Sequence, residues 1–283
     1  MLFSFVMDLK ELNNTGIKIP AIGMGTWEIG GRFSPDYSMD EYYIEILREG
    51  IKLGMSLIDT AEMYGAGHSE EIVGEAIKIF PRESIFIVTK VLPENLKYKD
   101  LINAAYKSLK RLKTDYIDLY LIHAPNPKIP IKETMEAMEK LVEEKIVKFI
   151  GVSNFNVYQM EEARACLSNI DIVVNQVEYH LLYRKVEKEV LPYCIKNKIT
   201  LMAYSPLARG LLAKNEFLKK IGEKYKKTAA QVALNWLIQK EMVVAIPKAG
   251  NLKHLIENAQ SCDFRLSKED ILEIEKYFSY SYY

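Results

Sequence analysis

Ile117-Asp118-Leu119-Tyr120-Leu121-Ile122-His123 carries apolar side chains at consecutive positions from Leu119 to Ile122. A strand with one wet face alternates apolar and polar residues. A strand covered on both faces reads instead as an unbroken apolar run, as in a parallel sheet. The stretch therefore predicts a buried parallel strand, and it ends on an ionisable residue. Two upstream runs share this design: Ser56-Leu57-Ile58-Asp59 ends on a carboxylate, and Ile85-Phe86-Ile87-Val88-Thr89-Lys90 ends on an amine. Tyr64 follows in the loop that begins at Asp59. Packing gives no reason for an ionisable group at the end of each of three successive strands. A (β/α)8 barrel puts such groups around its catalytic mouth.

Outward from these runs, the same alternation fills the chain. Strands are predicted over 21–25, 56–59, 85–90, 116–123, 149–152, 172–176, 200–204 and 243–247. Amphipathic stretches with apolar residues three and four apart lie between them, over 40–53, 70–79, 100–111, 134–144, 158–167, 185–196 and 229–239. Eight strand–helix units favour closure into a TIM barrel. The competing open, doubly wound sheet usually shows G-x-G-x-x-G after its first strand. Here that place holds Gly23-Met24-Gly25-Thr26-Trp27, with no third glycine. Ahead of the barrel, 8–12 and 17–20 flank the turn-rich Asn13-Asn14-Thr15-Gly16 and predict a β-hairpin capping the barrel's bottom. Patterns over 252–260 and 268–278 predict extra C-terminal helices. No linker or low-complexity tract divides residues 1–283, so a single barrel domain is expected.

Composition narrows the function class. The chain has 283 residues, 38 basic and 38 acidic, with formal net charge zero, which gives no general electrostatic reason to bind nucleic acid or an anionic membrane. Three cysteines, Cys166, Cys194 and Cys262, form no C-x-x-C pair and read as free thiols of a reducing compartment. The apolar start lacks the basic flank and cleavage site of a signal peptide, and no run reaches the ~18 apolar residues of a membrane span, so a cytoplasmic enzyme is expected. Four histidines, His68, His123, His180 and His254, show no paired spacing, so no metal is expected.

In a parallel barrel the C-terminal strand ends face one mouth. In order, the eight ends offer Gly25-Thr26-Trp27, Asp59 with Tyr64, Lys90, His123, Ser153-Asn154, Gln176, Tyr204-Ser205 and Pro247-Lys248. The first four ionisable groups can cooperate. An ammonium from Lys90 beside the Tyr64 phenol would lower its pKa, a carboxylate from Asp59 would keep that lysine charged, and a neutral His123 would donate to a substrate oxygen. Alone, each has an ordinary explanation: Asp59 can cap a turn, Tyr64 and His123 can pack, and Lys90 can be solvated. None of these explains why all four fall at one mouth.

Several segments together, in order and over nearly the whole chain, resemble the aldo-keto reductase family in its short-loop, prokaryotic type. They are Gly23-x-Gly25-Thr26-Trp27, Asp59-Thr60-Ala61-x-x-Tyr64-Gly65, Thr89-Lys90, Leu119-x-Leu121-Ile122-His123, Gly151-Val152-Ser153-Asn154-Phe155, Asn175-Gln176-Val177-x-Tyr179, Tyr204-Ser205-Pro206-Leu207 and Ile246-Pro247-Lys248. The resemblance implies a (β/α)8 barrel that binds an extended nicotinamide cofactor without a Rossmann domain. Carbonyl compounds would be reduced to alcohols, and the reverse, by hydride transfer, with Tyr64 as general acid. Lys90 and Asp59 would tune that acid, and His123 would orient the carbonyl. It further implies that Ser153, Asn154 and Gln176 meet the nicotinamide carboxamide and that Tyr204 stacks on the ring. Ser205, Leu207 and Arg209 would follow the pyrophosphate, and Lys248 and the position of His254 would meet the 2′-phosphate. Glu257 and Asn258 would face adenine. Gly25 and Thr26 would lie against the cofactor, and Trp27, Tyr64 and His123 against a small carbonyl substrate.

The chain departs from the pattern in two places. Many members carry serine directly after the lysine and arginine six residues after it, where this chain has Ala249 and His254. The resemblance thus implies NADPH, with NADH possible at lower preference. Tryptophans common near the lysine and histidine are replaced by Val91-Leu92 and Ala124, which implies an open, tolerant mouth. Residues 28–37, with Arg32, Phe33 and Tyr37, are a candidate substrate loop. The alternative function is a non-catalytic or regulatory nicotinamide-binding protein on the same barrel, like the potassium-channel β subunits.

Overall fold

An antiparallel hairpin leads the chain in the computed structural model, which describes residues 6–280. The apolar start at 1–5 lies outside the described residues. Strand β1 (Leu9–Glu11) pairs with β2 (Lys18–Pro20) across the Asn13–Gly16 turn. Eight parallel strands come next: β3 (Met24–Gly25), β4 (Leu57–Asp59), β5 (Phe86–Val91), β6 (Ile117–Ile122), β7 (Val147–Ser153), β8 (Ile172–Glu178), β9 (Thr200–Tyr204) and β10 (Val243–Ala245). Each bonds to its neighbour in sequence order. The ring closes between first and last. Ile22 bridges Ala245 in parallel, Gly23 N donates to Ala245 O at 2.8 Å, and Gly25 N donates to Pro247 O at 3.1 Å. A side chain at Gly25 would put Cβ 2.7 Å from Ile246 O, so closure itself needs the glycine.

The strand period of two sorts the runs. Leu57, Val88, Leu119, Leu121, Val174, Met202, Val244 and Ile246 form the barrel interior, plugged from below by Leu12 and Ile19 of the hairpin. Ile58, Ile87, Tyr120 and Ile122 face outward, under the helices. The same parity selects the side chains that reach the mouth. Asp59, Lys90 and His123 each lie two residues beyond an interior side chain, so all three turn inward there. Thr89, between two such positions, turns out toward the helical layer.

That layer comprises α1 (Asp40–Lys52), α2 (His68–Ile77), α3 (Tyr98–Leu112), α4 (Ile131–Glu143), α5 (Val157–Ala165), α6 (Val190–Asn197), α7 (Glu216–Tyr225) and α8 (Ala229–Ile238). Asn156 and Thr228 open α5 and α8 with capping boxes to Gln159 and Gln231. Helix α7 is not among the helices expected from the sequence. Its signals are an Asn215 side chain that accepts from Leu218 N and the buried stripe Leu218, Ile221 and Gly222. The extra helices α9 (Leu252–Ala259) and α10 (Lys268–Tyr277) pack outside the barrel, α9 on α1 and α8. Helix α10 is tied to α7 by Asp270 with Lys224 and Tyr225, and to α8 and the turn after it by Glu275 with Trp236 and Lys240. All three cysteines are free, Cys194 and Cys262 buried. Among the described residues no helix is long and apolar enough to cross a membrane.

One ion cluster ties the start of α1 to the start of α2. His68, only 6% exposed, meets Asp40 through Nε2 at 2.9 Å and Glu71 through Nδ1 at 2.8 Å. Burial works against its charge, but the hydrogen bonds and charges of Glu71 and Asp40 prevail and hold the imidazole above its ordinary value. A raised folded value means the contribution to stability is complete below the unfolded pKa, about 6.5, and fades as pH rises through the folded one. His68→Gln is therefore expected to lower the melting temperature most at pH ~5.5 and progressively less above pH ~7. A destabilisation equal at both ends of a pH series would refute this assignment.

Candidate active site

Lys90 is fully buried at the end of β5 and donates three hydrogen bonds: to Asp59 Oδ2 at 2.9 Å, Thr60 O at 2.8 Å and the Tyr64 hydroxyl at 3.1 Å. A carboxylate and a carbonyl can only accept, and three acceptors match the three hydrogens of an ammonium. Burial opposes the charge on Lys90, but Asp59 and Tyr64 outweigh it and raise its pKa. Because the Tyr64 oxygen accepts from Lys90, its own proton is left to point elsewhere.

The tyrosine is placed by backbone rather than by a strand. Gly65, Ala66 and Gly67 follow it with φ of 57°, 53° and 97°, a left-handed run that α2 then continues right-handed. A Cβ at Gly65 would meet Gly30 O at 2.3 Å, and Gly65 N donates to Arg32 O at 3.0 Å. The 28–37 loop is thus docked on the tyrosine turn, not a free connection. The sequence leads one to expect Lys90 to lower the Tyr64 pKa. Lys90 does pull down, but burial of a ring only 8% exposed is the larger effect and leaves the phenol above its ordinary value. The hydroxyl therefore holds its proton at neutral pH.

His123 stands edge-on to Tyr64, with ring centroids 5.9 Å apart. Burial, and then the charge of Lys90, push its imidazole down to about 3, so it is neutral. Its Nδ1 is buried without a partner among the described residues. Placing hydrogen there would bury an unsatisfied donor, at about 1–3 kcal/mol. The proton belongs on Nε2, which makes that nitrogen a donor.

Gln176 turns its amide nitrogen to Asp59 Oδ1 at 2.7 Å, which leaves its carbonyl oxygen as the free acceptor. Asn154, left-handed at φ 63°, donates to His123 O at 3.0 Å and to Ser153 Oγ at 3.1 Å, and accepts from the Tyr204 hydroxyl at 2.9 Å. Ser153, Asn154, Gln176 and Tyr204 thus sit beside the tetrad of Asp59, Tyr64, Lys90 and His123, at the ends of β7, β8 and β9. Burial, with nearby Glu178, pushes the Tyr204 phenol up to about 12. After β9, Ser205, Ala208, Arg209 and Gly210 all have positive φ, a strained run of the kind found at ligand sites.

Other expected contacts stand further out. Lys248 is paired with Glu28 at 3.0 Å, and Glu28 also approaches Arg32 at 3.5 Å. His254 is exposed on the first turn of α9 beside Asn251. Asn258 is buried near the end of α9 with Nδ2 unpartnered among the described residues, and Glu257 precedes it. Thr26 turns its hydroxyl away from the mouth, to Ser69 at 2.8 Å. On the substrate side Trp27 packs edge-on to both Tyr64 and Phe33, at 4.9 and 5.5 Å. Leu92 and Ala124 are half-buried. Glu62, Glu70 and Arg111, beneath the tyrosine turn, escaped the sequence reading, because nothing in a helical pattern marks a glutamate as buried.

The sequence model of the Aldo/keto reductase family matches residues 21–278. The chain is 40% identical to methylglyoxal reductase YeaE of Escherichia coli, with 95% of each chain covered. It is 41% identical to a glyoxal reductase of Bacillus subtilis, covering 95% of this chain and 92% of the relative. Among solved structures, a thermostable aldo-keto reductase with the inhibitor epalrestat superposes at TM-score 0.92 and 48% identity, over 95% of this chain and 99% of that one. An aldo-keto reductase from Klebsiella pneumoniae in complex with NADPH superposes at TM-score 0.90 and 35% identity, over 97% and 96%. With the barrel, the tetrad and these likenesses in agreement over nearly its whole length, the chain belongs to the aldo/keto reductase family.

Proposed function

We propose that the protein is an NADP(H)-dependent reductase of small, reactive aldehydes and ketones, with Tyr64 as proton donor. The observation that carries the reading is the Lys90 ammonium. It spends one of its three bonds on the Tyr64 oxygen and so leaves the phenol proton to be donated at the open mouth. Neutral His123 donates from Nε2 to the same substrate oxygen, polarising the carbonyl where charge develops. Asp59 keeps Lys90 charged, so the phenolate left after proton transfer is stabilised at once. Trp27 and Phe33 exclude water from one side of the reacting carbonyl.

The donor set fits a nicotinamide. Ser153, Asn154 and the free Gln176 carbonyl match a carboxamide, and the Tyr204 face suits a flat ring. Asn258 Nδ2, a buried donor with no partner, suits a ring nitrogen of adenine. When bound, the cofactor supplies the hydride, chemistry that no side chain offers. Gly25 and Thr26 would flank it through backbone alone, and Leu207 and Arg209 would line its diphosphate. Lys248 would leave Glu28 for the 2′-phosphate. Relatives named for methylglyoxal and glyoxal make small dicarbonyls the substrate class of choice. The free thiols suit the cytoplasm. The assembled tetrad speaks against a purely regulatory nicotinamide-binding role.

The test is direct. Purified protein is expected to oxidise NADPH on addition of methylglyoxal, glyoxal or an aromatic aldehyde. Inertness toward all three would refute the proposal. With one lysine as the principal phosphate contact, NADPH is expected to be preferred over NADH by about 10–100-fold in kcat/KM, the worth of one charged hydrogen bond. A preference of many thousandfold, or any preference for NADH, would overturn the assignment of Lys248, Ala249 and His254.

A further inference from the structure

Beneath the tyrosine turn, outside the barrel wall, lies an ion network that the reaction itself does not use. Arg111, near the end of α3, donates from Nε to Glu70 Oε2 at 2.6 Å and reaches Glu62 Oε2 at 3.9 Å. Glu70 is fully buried and Glu62 nearly so, with 8% of its side chain exposed. Glu62 lies two residues before Tyr64, and Glu70 six residues after it. Each carboxylate spends its other oxygen on the segment that carries Lys90, β5 or the residue just after it. Glu70 Oε1 accepts from Thr89 Oγ1 at 2.5 Å, one residue before the lysine, and Glu62 Oε1 accepts from Leu92 N at 2.7 Å, two residues after it. Arg111 also fills the space that a side chain at Gly67 would need, with Cδ and Nε both 2.7 Å from where that Cβ would stand.

We infer that Arg111 is a positioning residue for the Tyr64–Lys90 pair. It clamps both flanks of the tyrosine turn to both flanks of the lysine, and so sets the 3.1 Å separation of hydroxyl and ammonium. The need for a clamp is local. The turn holds three consecutive left-handed residues, one of them Ala66, a conformation that is unfavourable for a residue with a Cβ and persists only when its surroundings over-determine it. One guanidinium hydrogen-bonds Glu70 and stands within ion-pair reach of Glu62, a planar geometry that a lysine at the same place would not reproduce. The groups that face the Tyr64 hydroxyl, Lys90, Asp59 and His123, keep their identity in any Arg111 variant, so only their spacing is altered.

The inference rests on Tyr64 as proton donor, and the test separates the two. Hydride transfer from NADPH to an aromatic aldehyde is followed in single turnovers across pH, per NADPH-binding site. In Arg111→Gln the rate is expected to fall about 10–100-fold, with NADPH affinity within threefold of wild type. The alkaline limb, which reports loss of the phenol proton, is expected to move upward as Lys90 draws away. Thr89→Val, which keeps the Arg111–Glu70 pair, is expected to move that limb the same way with a smaller rate loss. Arg111→Lys is expected to rescue folding but not the limb. If Arg111→Gln does not fold, Thr89→Val and Glu62→Gln decide. An unmoved limb in every variant that folds overturns the inference, whatever the melting temperatures do. Full activity in Tyr64→Phe would instead overturn the reading on which it rests.

Discussion

Tyr64→Phe is expected to lower kcat for aldehyde reduction by about 10²–10⁴-fold, the usual worth of a general acid, while NADPH binds as in wild type. The ring that remains still packs on Trp27 and His123, so the mouth keeps its shape. Only an oxygen is lost, and with it the proton donor and one of three acceptors of Lys90. Asp59 and Thr60 O still hold the ammonium, so the variant should fold with little loss of stability. Fluorescence titration with NADPH checks binding, and stopped-flow oxidation checks chemistry. A variant within tenfold of wild-type rate would mean that another group, or water, delivers the proton.

Removing the lysine has a different signature. Lys90→Met leaves Asp59 only 2% exposed and without its cation. Breaking a buried pair from one side costs about 3–5 kcal/mol, so both activity and stability are expected to collapse near neutral pH. The carboxyl is already lifted by burial, and Lys90 is the main force opposing that. With Lys90 gone the native state holds the Asp59 proton more tightly than the unfolded chain does. The destabilisation should therefore be small near pH ~4 and grow as pH rises. The double variant Asp59→Asn with Lys90→Met buries no unpaired charge and is expected to regain most of the stability but none of the activity. Urea titrations at two pH values measure this. Equal stability of Lys90→Met and wild type at pH ~7.5 would show that the pair is not what keeps both groups ionised.

Much of the tetrad was legible because strand geometry is periodic. A side chain two residues past an interior one must also point inward, so Asp59, Lys90 and His123 converge once Leu57, Val88 and Leu121 line the barrel. Tyr64 carries no such warrant, since it sits in a turn whose path depends on three left-handed residues and on contacts with Gly30 and Arg32. The sign of its pKa shift was equally hidden. Residue types alone show an ammonium near a phenol, but burial is a property of the assembled mouth, and here it is the larger force. Thr26 is similar: its place at a strand end says nothing of where its hydroxyl turns, and that hydroxyl accepts from Ser69.

The sequence by itself determined the barrel, its hairpin plug, the family and the strand-end residues that face the mouth. Each of these comes from short-range periodicity or from motifs read in order. Tertiary structure alone decided the partners: Gln176 on Asp59, Glu28 on Lys248, and Arg111 between Glu62 and Glu70. Those pairs join elements far apart in the chain. Which charges face each other is set by how strands and helices pack in space, and no local pattern of residues encodes it.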